Sequence, residues 1–207
     1  MKEAFFIGTD IGGTTFSSGL FDNHLHLIKI SDKGYISDYI DQKSLLNAIS
    51  EQIKSISFKK NISNIGFACP GPLDSVSGKI LDTPNLTLLQ NCHLKVEMEK
   101  RLKIPCSIEN DANLFALGEW VDCTHRKDVF IGITLGTGLG FGIVINGRLY
   151  TGGNGMAAEY GISPVDDAKC WESYLSIRGI RNLTSKHFKE KISPKELCNM
   201  GFNSDIT

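Results

Sequence analysis

At 207 residues the chain has room for one domain or two, and with 41% hydrophobic residues it can bury a real core, which excludes an intrinsically disordered polypeptide. The formal net charge of -1 supplies no field to gather nucleic acid or an acidic membrane, so a charged ligand must be met by local geometry. The cysteines Cys69, Cys92, Cys106, Cys123, Cys170 and Cys198 show no CxxC and no Cys/His cluster of metal-ligand spacing, and read as reduced thiols of a cytoplasmic protein. The opening apolar run is too short for a signal peptide, and no stretch reaches the length of a membrane span. The Asn-x-Ser/Thr triplets at Asn61, Asn85 and Asn182 would then never meet the glycosylation machinery.

In chain order the first element is an apolar run, residues 4–7, read as a buried strand that leads to Asp10, Gly12-Gly13 and the hydroxyls of Thr14 and Thr15. Two glycines let backbone approach a ligand that a Cβ would exclude. Residues 16–21 read as the returning strand of a hairpin. Its turn would offer N–H groups and two hydroxyls to an anion, with Asp10 beside them to hold a hydrated cation, a pairing that suits a metal-bound polyphosphate. The same residues also suit an ordinary Gly-Gly hairpin turn. Residues 25–30 read as a third strand, which makes the opening a three-stranded antiparallel meander with His24 and His26 on its surface.

From Asp41 onward, Leu45, Leu46, Ile49, Ile53 and Ile56 recur at helical spacing, a core-facing helix with Asp41 or Ser44 available as its cap. Residues 64–69 form a short buried strand that stops at Pro70-Gly71-Pro72, a rigid turn at the strand's carboxyl end, where ligands sit in open α/β sheets. Gly78-Lys79 is no Walker loop, because the spacing from Gly71 is wrong and Ile80 stands where Ser or Thr is required. A helix over residues 94–102 precedes a strand that ends in Glu109-Asn110-Asp111 and passes into a helix over residues 112–120. Asn110 and Asp111 therefore occupy a strand-to-helix junction that aims side chains into a cleft, although Asp111 equally suits a plain helix N-cap.

Residues 128–134 are apolar and β-rich and run into Leu135-Gly136-Thr137-Gly138-Leu139-Gly140, followed by a strand and the turn Asn146-Gly147. Glycine at every second position is not the dinucleotide GxGxxG pattern, and no βαβ unit follows. It reads as a second strand, glycine turn and strand whose N–H groups and Thr137 repeat the opening design. Two such hairpins suggest a duplicated two-domain fold whose cleft grips a nucleotide's phosphates from both sides. Residues 152–155 read as a flexible loop before Glu159, residues 170–180 as a helix, and the tail from residue 193 is thin in apolar residues with no evident partner.

The segments DIGGTT (residues 10–15), CPGPLD (69–74), TPNL (83–86), ENDAN (109–113) and TLGTGLGFGIVINGRLYTGGNGMAAEYG (134–161), with the helix beginning at Cys170, resemble the ROK family of bacterial sugar kinases and sugar-responsive regulators in both order and spacing. That resemblance covers nearly the whole chain to about Gly179. It implies an α/β protein of the actin-like ATPase (ribonuclease H-like) fold, with two lobes of mixed sheet flanked by helices. These are expected at residues 1–108 and, incompletely, at 109–207. It further implies that Asp10, Gly12, Gly13 and Thr14 hold the phosphate and magnesium side, Asp10 acting on Mg2+ through water. Gly136, Thr137, Gly138 and Gly140 would form the second phosphate loop. Asn85, Asn110, Asp111 and Glu159 would bind sugar hydroxyls, with Asp111 as general base and ATP as donor. A carboxylate of ordinary pKa near ~4 is ionised at neutral pH and can accept the hydroxyl proton late in phosphoryl transfer.

Two departures from the family pattern shape the expectation. In zinc-containing members a His follows the Glu-x-Gly of the sugar loop and a Cys-rich segment comes soon after. Here Ile162 occupies the His position and only Cys170 remains of the cysteines, so no zinc is expected. Family kinases also continue with more of the second lobe. Without it the second sheet would expose apolar surface that only a partner or a homodimer could bury. The leading reading is an ATP-dependent hexose or N-acetylhexosamine kinase of glucokinase type. The alternative is a non-catalytic sugar-binding protein or decayed kinase fragment of the same family, and a third is an α/β domain with incidental glycines. The first phosphate motif begins at residue 10, ahead of which no helix-turn-helix fits, so no nucleic-acid partner is expected, and no membrane partner either.

Overall fold

Strand β1 (Phe5–Ile11) buries Phe5, Ile7, Thr9 and Ile11 on one face and leaves Gly8 and Asp10 exposed on the other, the period of two that a pleated strand imposes. The computed structural model describes residues 3–203 apart from 154, 156 and 191. The chain divides into two compact units, Met1–Leu114 and Phe115–Thr207.

In the first unit β1 pairs antiparallel with β2 (Thr15–Phe21), and β2 pairs with β3 (Leu27–Ile30) and β4 (Gly34–Tyr35), the meander expected from the sequence. Helix α1 (Gln42–Ser57) buries Leu45, Leu46, Ile49, Ile53 and Ile56, and Asp41 is its cap, accepting from the Ser44 amide at 2.7 Å. The buried hydroxyls of Thr9 and Ser18 meet at 3.0 Å, and Ser18 donates to Gln52 Oε1 of α1 at 2.9 Å, so the polar groups under the helix are satisfied. Strand β5 (Ile62–Cys69) lies parallel to β1 and leads to the short hairpin of β6 (Leu73–Asp74) and β7 (Lys79–Ile80). Helix α2 (Leu94–Leu102) closes on Lys103 in the left-handed conformation, and β8 (Cys106–Asn110) adds a further parallel strand, giving the order β3-β2-β1-β5-β8.

Two boundaries differ from the sequence reading for physical reasons. Strand β1 continues past residue 7 because Gly8, poor in intrinsic strand preference, is held in register between Gly19 and Gly66 by ladders on both sides. Asp10 is therefore part of the strand, not of the turn beyond it. The third strand begins at Leu27, not at residue 25, because Leu25 turns with φ 65°.

Helix α3 (Asp111–Asp122) spans the division between the units. In the second unit β9 (Val129–Leu135), β10 (Leu139–Ile145) and β11 (Arg148–Leu149) form an antiparallel sheet with β9 at its edge. Asn146 and Gly147 both have positive φ, 51° and 76°, as a two-residue hairpin turn requires. Gly132 of β9 packs so tightly on α3 that a Cβ there would come within 2.6 Å of the Ala116 Cβ. The opposite face of β9 is open: Val129, Ile131, Ile133 and Leu135 are between 51% and 68% exposed.

The expected helix over residues 170–180 is corrected. A small hairpin of β12 (Pro164–Asp166) and β13 (Lys169–Cys170) comes first, and the helical stretch is two helices, α4 (Glu172–Leu175) and α5 (Ile177–Phe188). Ser176 breaks it: extended at φ -71°, ψ 163°, it caps α5 by accepting from the Gly179 amide at 3.1 Å. The tail also holds a helix, α6 (Pro194–Asn203), started by a capping box in which Ser193 and Glu196 accept each other's backbone amides at 3.2 and 2.7 Å.

Candidate active site

Asp10 reaches the carboxyl end of β1 on the face away from α1, opposite Ala68 of β5, which in turn stands opposite Glu109 of β8; one step on, Cys69 faces Asn110. The carboxyl ends of parallel strands are where open α/β sheets receive ligands. Asp10 keeps exposed surface, yet the protein packed around its carboxyl removes enough water to raise its pKa above the ordinary carboxylate value, the charge of Asp111 raises it further, and the ammonium of Lys33 opposes both. Burial likewise raises Asp111, against the stabilising amide of Ala112. The buried thiol of Cys69 is pushed up by burial and by both carboxylates. Groups from β1, β5 and the start of α3 thus share one locale, and the ordinary pKa expected of Asp111 is corrected upward.

The helix cap at this junction belongs to Asn110. Its Oδ1 accepts from the amides of Ala112 and Asn113 at 3.0 and 3.2 Å, so the side-chain oxygen is committed to the cap. Asp111 Oδ1 accepts from the Ala112 amide at 2.8 Å. Glu109 Oε1 accepts from the Asn110 amide at 2.8 Å and from Asn113 Nδ2 at 3.1 Å, so it stiffens the junction from behind. Neither Glu109, although it lies inside the ENDAN motif, nor Lys33, which no local pattern marks, is among the residues the sequence points to at this site.

At the β1–β2 turn the Gly12 amide donates to the Thr15 carbonyl at 2.9 Å, and the Thr14 carbonyl accepts from Ile36. The turn therefore keeps the Gly12 amide for itself, and Thr15 belongs to β2, so fewer groups face outward than the sequence reading allowed. Gly13 abuts the backbone of Asn85: a Cβ there would overlap the Asn85 carbonyl oxygen. Magnesium keeps several waters and takes one or two carboxylates. Asp10, exposed and held near a second carboxylate, suits such a hydrated ion shared with phosphates. Among the described residues no group of three or more His, Cys, Asp or Glu is arranged to hold a metal ion by itself.

The second unit holds Gly136, Thr137, Gly138, Gly140 and Glu159. The Gly136 amide donates to the Gly138 carbonyl at 3.0 Å, its carbonyl accepts from Ile177 at 2.9 Å, and among the described residues, its chain neighbours aside, no atom lies within 4 Å of where a Cβ would sit. That open space is room for a ligand oxygen. Glu172 of α4, which sequence analysis did not single out, accepts from the Leu139 amide at 3.0 Å, and a Cβ at Gly138 would come 2.7 Å from its Oε2. The amide of Leu139 is consequently engaged within the protein. Glu159 is exposed and precedes the helical turn Tyr160–Ile162, and Gly161 beside it packs on the Leu139 carbonyl.

A family model described as the ROK family matches residues 6–207. The glucokinase of Thermotoga maritima is 32% identical over 200 residues, covering 92% of this chain and 63% of that protein. The N-acetyl-D-glucosamine kinase of Pectobacterium carotovorum is 31% identical, covering 90% and 67%. The chain thus spans about two thirds of the length of these relatives. Among solved structures, a ROK family glucokinase from Streptomyces griseus in complex with glucose and AMPPNP is similar with TM-score 0.76 at 30% identity, covering 89% of this chain and 61% of that one. The ROK hexokinase from Thermus thermophilus shares the fold with TM-score 0.84 at 24% identity over 98% of this chain and 70% of that one. The architecture is the actin-like ATPase fold. From its sequence match, its fold and the order of its motifs, the chain belongs to the ROK family.

Proposed function

We propose that this chain binds a hexose or N-acetylhexosamine and transfers to one of its hydroxyls the terminal phosphoryl group of ATP. The observation that carries this reading is the parallel register of β1, β5 and β8, which brings Asp10 and the Asn110–Asp111 junction to the same carboxyl edge of one sheet, where the charge of Asp111 raises the pKa of Asp10. Relatives named for glucose and N-acetylglucosamine phosphorylation, and one holding glucose with an ATP analogue, support the substrate class.

In this mechanism Asn85, Asn110 and Asp111 take sugar hydroxyls, Asn110 from its amide nitrogen while its oxygen holds the helix cap, and Glu159 is proposed as a further sugar ligand. One hydroxyl oxygen forms a bond to the terminal phosphorus as the bond to the ADP oxygen breaks. Asp111 receives the hydroxyl proton. Its raised pKa makes it the stronger proton acceptor. Gly12 and Thr14 serve the donor's phosphates, and Gly136, Thr137, Gly138 and Gly140 are proposed as a further set of phosphate contacts. Bound near Asp10, Mg2+ would neutralise phosphate charge.

Calorimetry with glucose, mannose, N-acetylglucosamine and N-acetylmannosamine, followed by ADP release with magnesium and ATP, tests the reading. Sugar-dependent ADP release supports it. Sugar binding without release supports a non-catalytic sugar-binding protein, and neither result supports an unrelated role.

A further inference from the structure

Gly12 and Gly13 share the β1–β2 turn and were both read as making room for a phosphate, yet their surroundings differ. A Cβ on Gly12 would meet nothing closer than the Thr15 carbonyl at 3.6 Å, an ordinary contact. A Cβ on Gly13 would overlap the carbonyl oxygen of Asn85 and lie 3.3 Å from its carbonyl carbon and 3.5 Å from its Cβ. Here the close approach that demands glycine is made by the chain's own backbone.

The loop that carries Asn85 cannot step back to relieve such an overlap. Leu86 and Leu89 on one side of it are fully buried, as is Thr83 on the other. Gln90 Nε2 donates to the Thr83 carbonyl at 2.9 Å, Gln42 Nε2 of α1 reaches the Leu88 carbonyl at 3.3 Å, and the Leu89 amide closes on Leu86 at 3.0 Å. Asn85 itself is exposed and so free to meet a ligand while its backbone is pressed against the turn.

We propose that Gly13 is a positioning residue for the sugar: its missing side chain sets the depth of Asn85, and through it the affinity for the hexose, apart from any phosphate contact. This rests on the reading of Asn85 as a sugar ligand. Gly12, whose Cβ position touches no part of the sugar loop, then acts on the donor alone. Two adjacent glycines of one turn serve different substrates.

The test is calorimetric, with glucose and N-acetylglucosamine in one series and magnesium AMPPNP without sugar in the other, on the parent chain, Gly12→Ala, Gly13→Ala and Gln90→Met. Expected is a loss of sugar affinity of roughly 10-fold or more for Gly13→Ala, the worth of about one hydrogen bond, with nucleotide affinity held within about twofold. Gly12→Ala gives the reverse pattern. Gln90→Met, which loosens the same loop from its other brace, lowers sugar affinity selectively and carries the test should Gly13→Ala not fold. Parental sugar affinity in both Gly13→Ala and Gln90→Met, or equal loss for sugar and nucleotide, overturns the inference while leaving the kinase reading intact. A parent chain that binds no hexose removes both.

Discussion

Asp10 at the end of β1 and Asp111 at the start of α3 form a like-charge pair in which the charge of Asp111 raises the pKa of Asp10. Both carboxyls are also raised by burial. An acid whose folded pKa lies above its unfolded value binds more protons when folded, so its stabilising contribution is present below the unfolded value of 3.8 and is lost as pH rises through the folded one. At neutral pH the pair therefore opposes folding. Asp111→Asn is expected to raise Tm at pH 7, with the gain shrinking toward pH 4. Melting curves of parent and variant across that range check it, and an equal shift at both ends would contradict it.

On the proposed reading, magnesium beside Asp10 relieves this repulsion and stabilises the fold. An ion bound by the folded chain raises stability by RT ln(1 + [L]/Kd), about 1.4 kcal/mol at ten times Kd. Magnesium is expected to raise the parent's Tm and to leave Asp10→Asn nearly unmoved. Equal shifts in the two proteins would show that the ion acts elsewhere.

The open face of β9 carries no charge and no proline among Val129, Ile131, Ile133 and Leu135, and it lies on an edge strand. Such an edge lacks the usual protection against association. The chain is expected to bind the dye ANS and to self-associate with concentration, and Ile131→Thr with Ile133→Thr to reduce both. Sedimentation and dye fluorescence read the result.

What the sequence made legible was the periodic part. The helix α1 shows its core stripe at Leu45, Leu46, Ile49, Ile53 and Ile56, and α2 falls at Leu94–Leu102 as expected, because both signals are local. Ser176 was less legible, since a serine inside an apolar pattern turns helix into cap only when its neighbours commit elsewhere. The capping box at Ser193 and Glu196 was readable in principle and was hidden by the weak apolar content around it. The motifs marked Asp10, Asn85 and Asp111 as candidates, but not that Asn110 would take the cap, that Gly13 would press on Asn85, or that Glu172 would claim the Leu139 amide. Those relationships join residues distant in the chain, and no spacing rule reports them.

Caps offer a compact check on local structure. Removing the acceptor at Asp41 by Asp41→Ala leaves the Ser44 amide without its side-chain partner and is expected to lower the urea midpoint of unfolding. Ile49→Ala, at a fully buried position on the same helix, is expected to cost roughly 2–5 kcal/mol.

The most direct measurement of the central claim is hexose-dependent ADP release by the parent chain and by Asp111→Asn, with sugar affinity measured in parallel. The account predicts turnover in the parent that falls roughly 100-fold or more in the variant while sugar affinity stays close to the parent's. Undiminished turnover in Asp111→Asn, or release that does not depend on sugar, would contradict it.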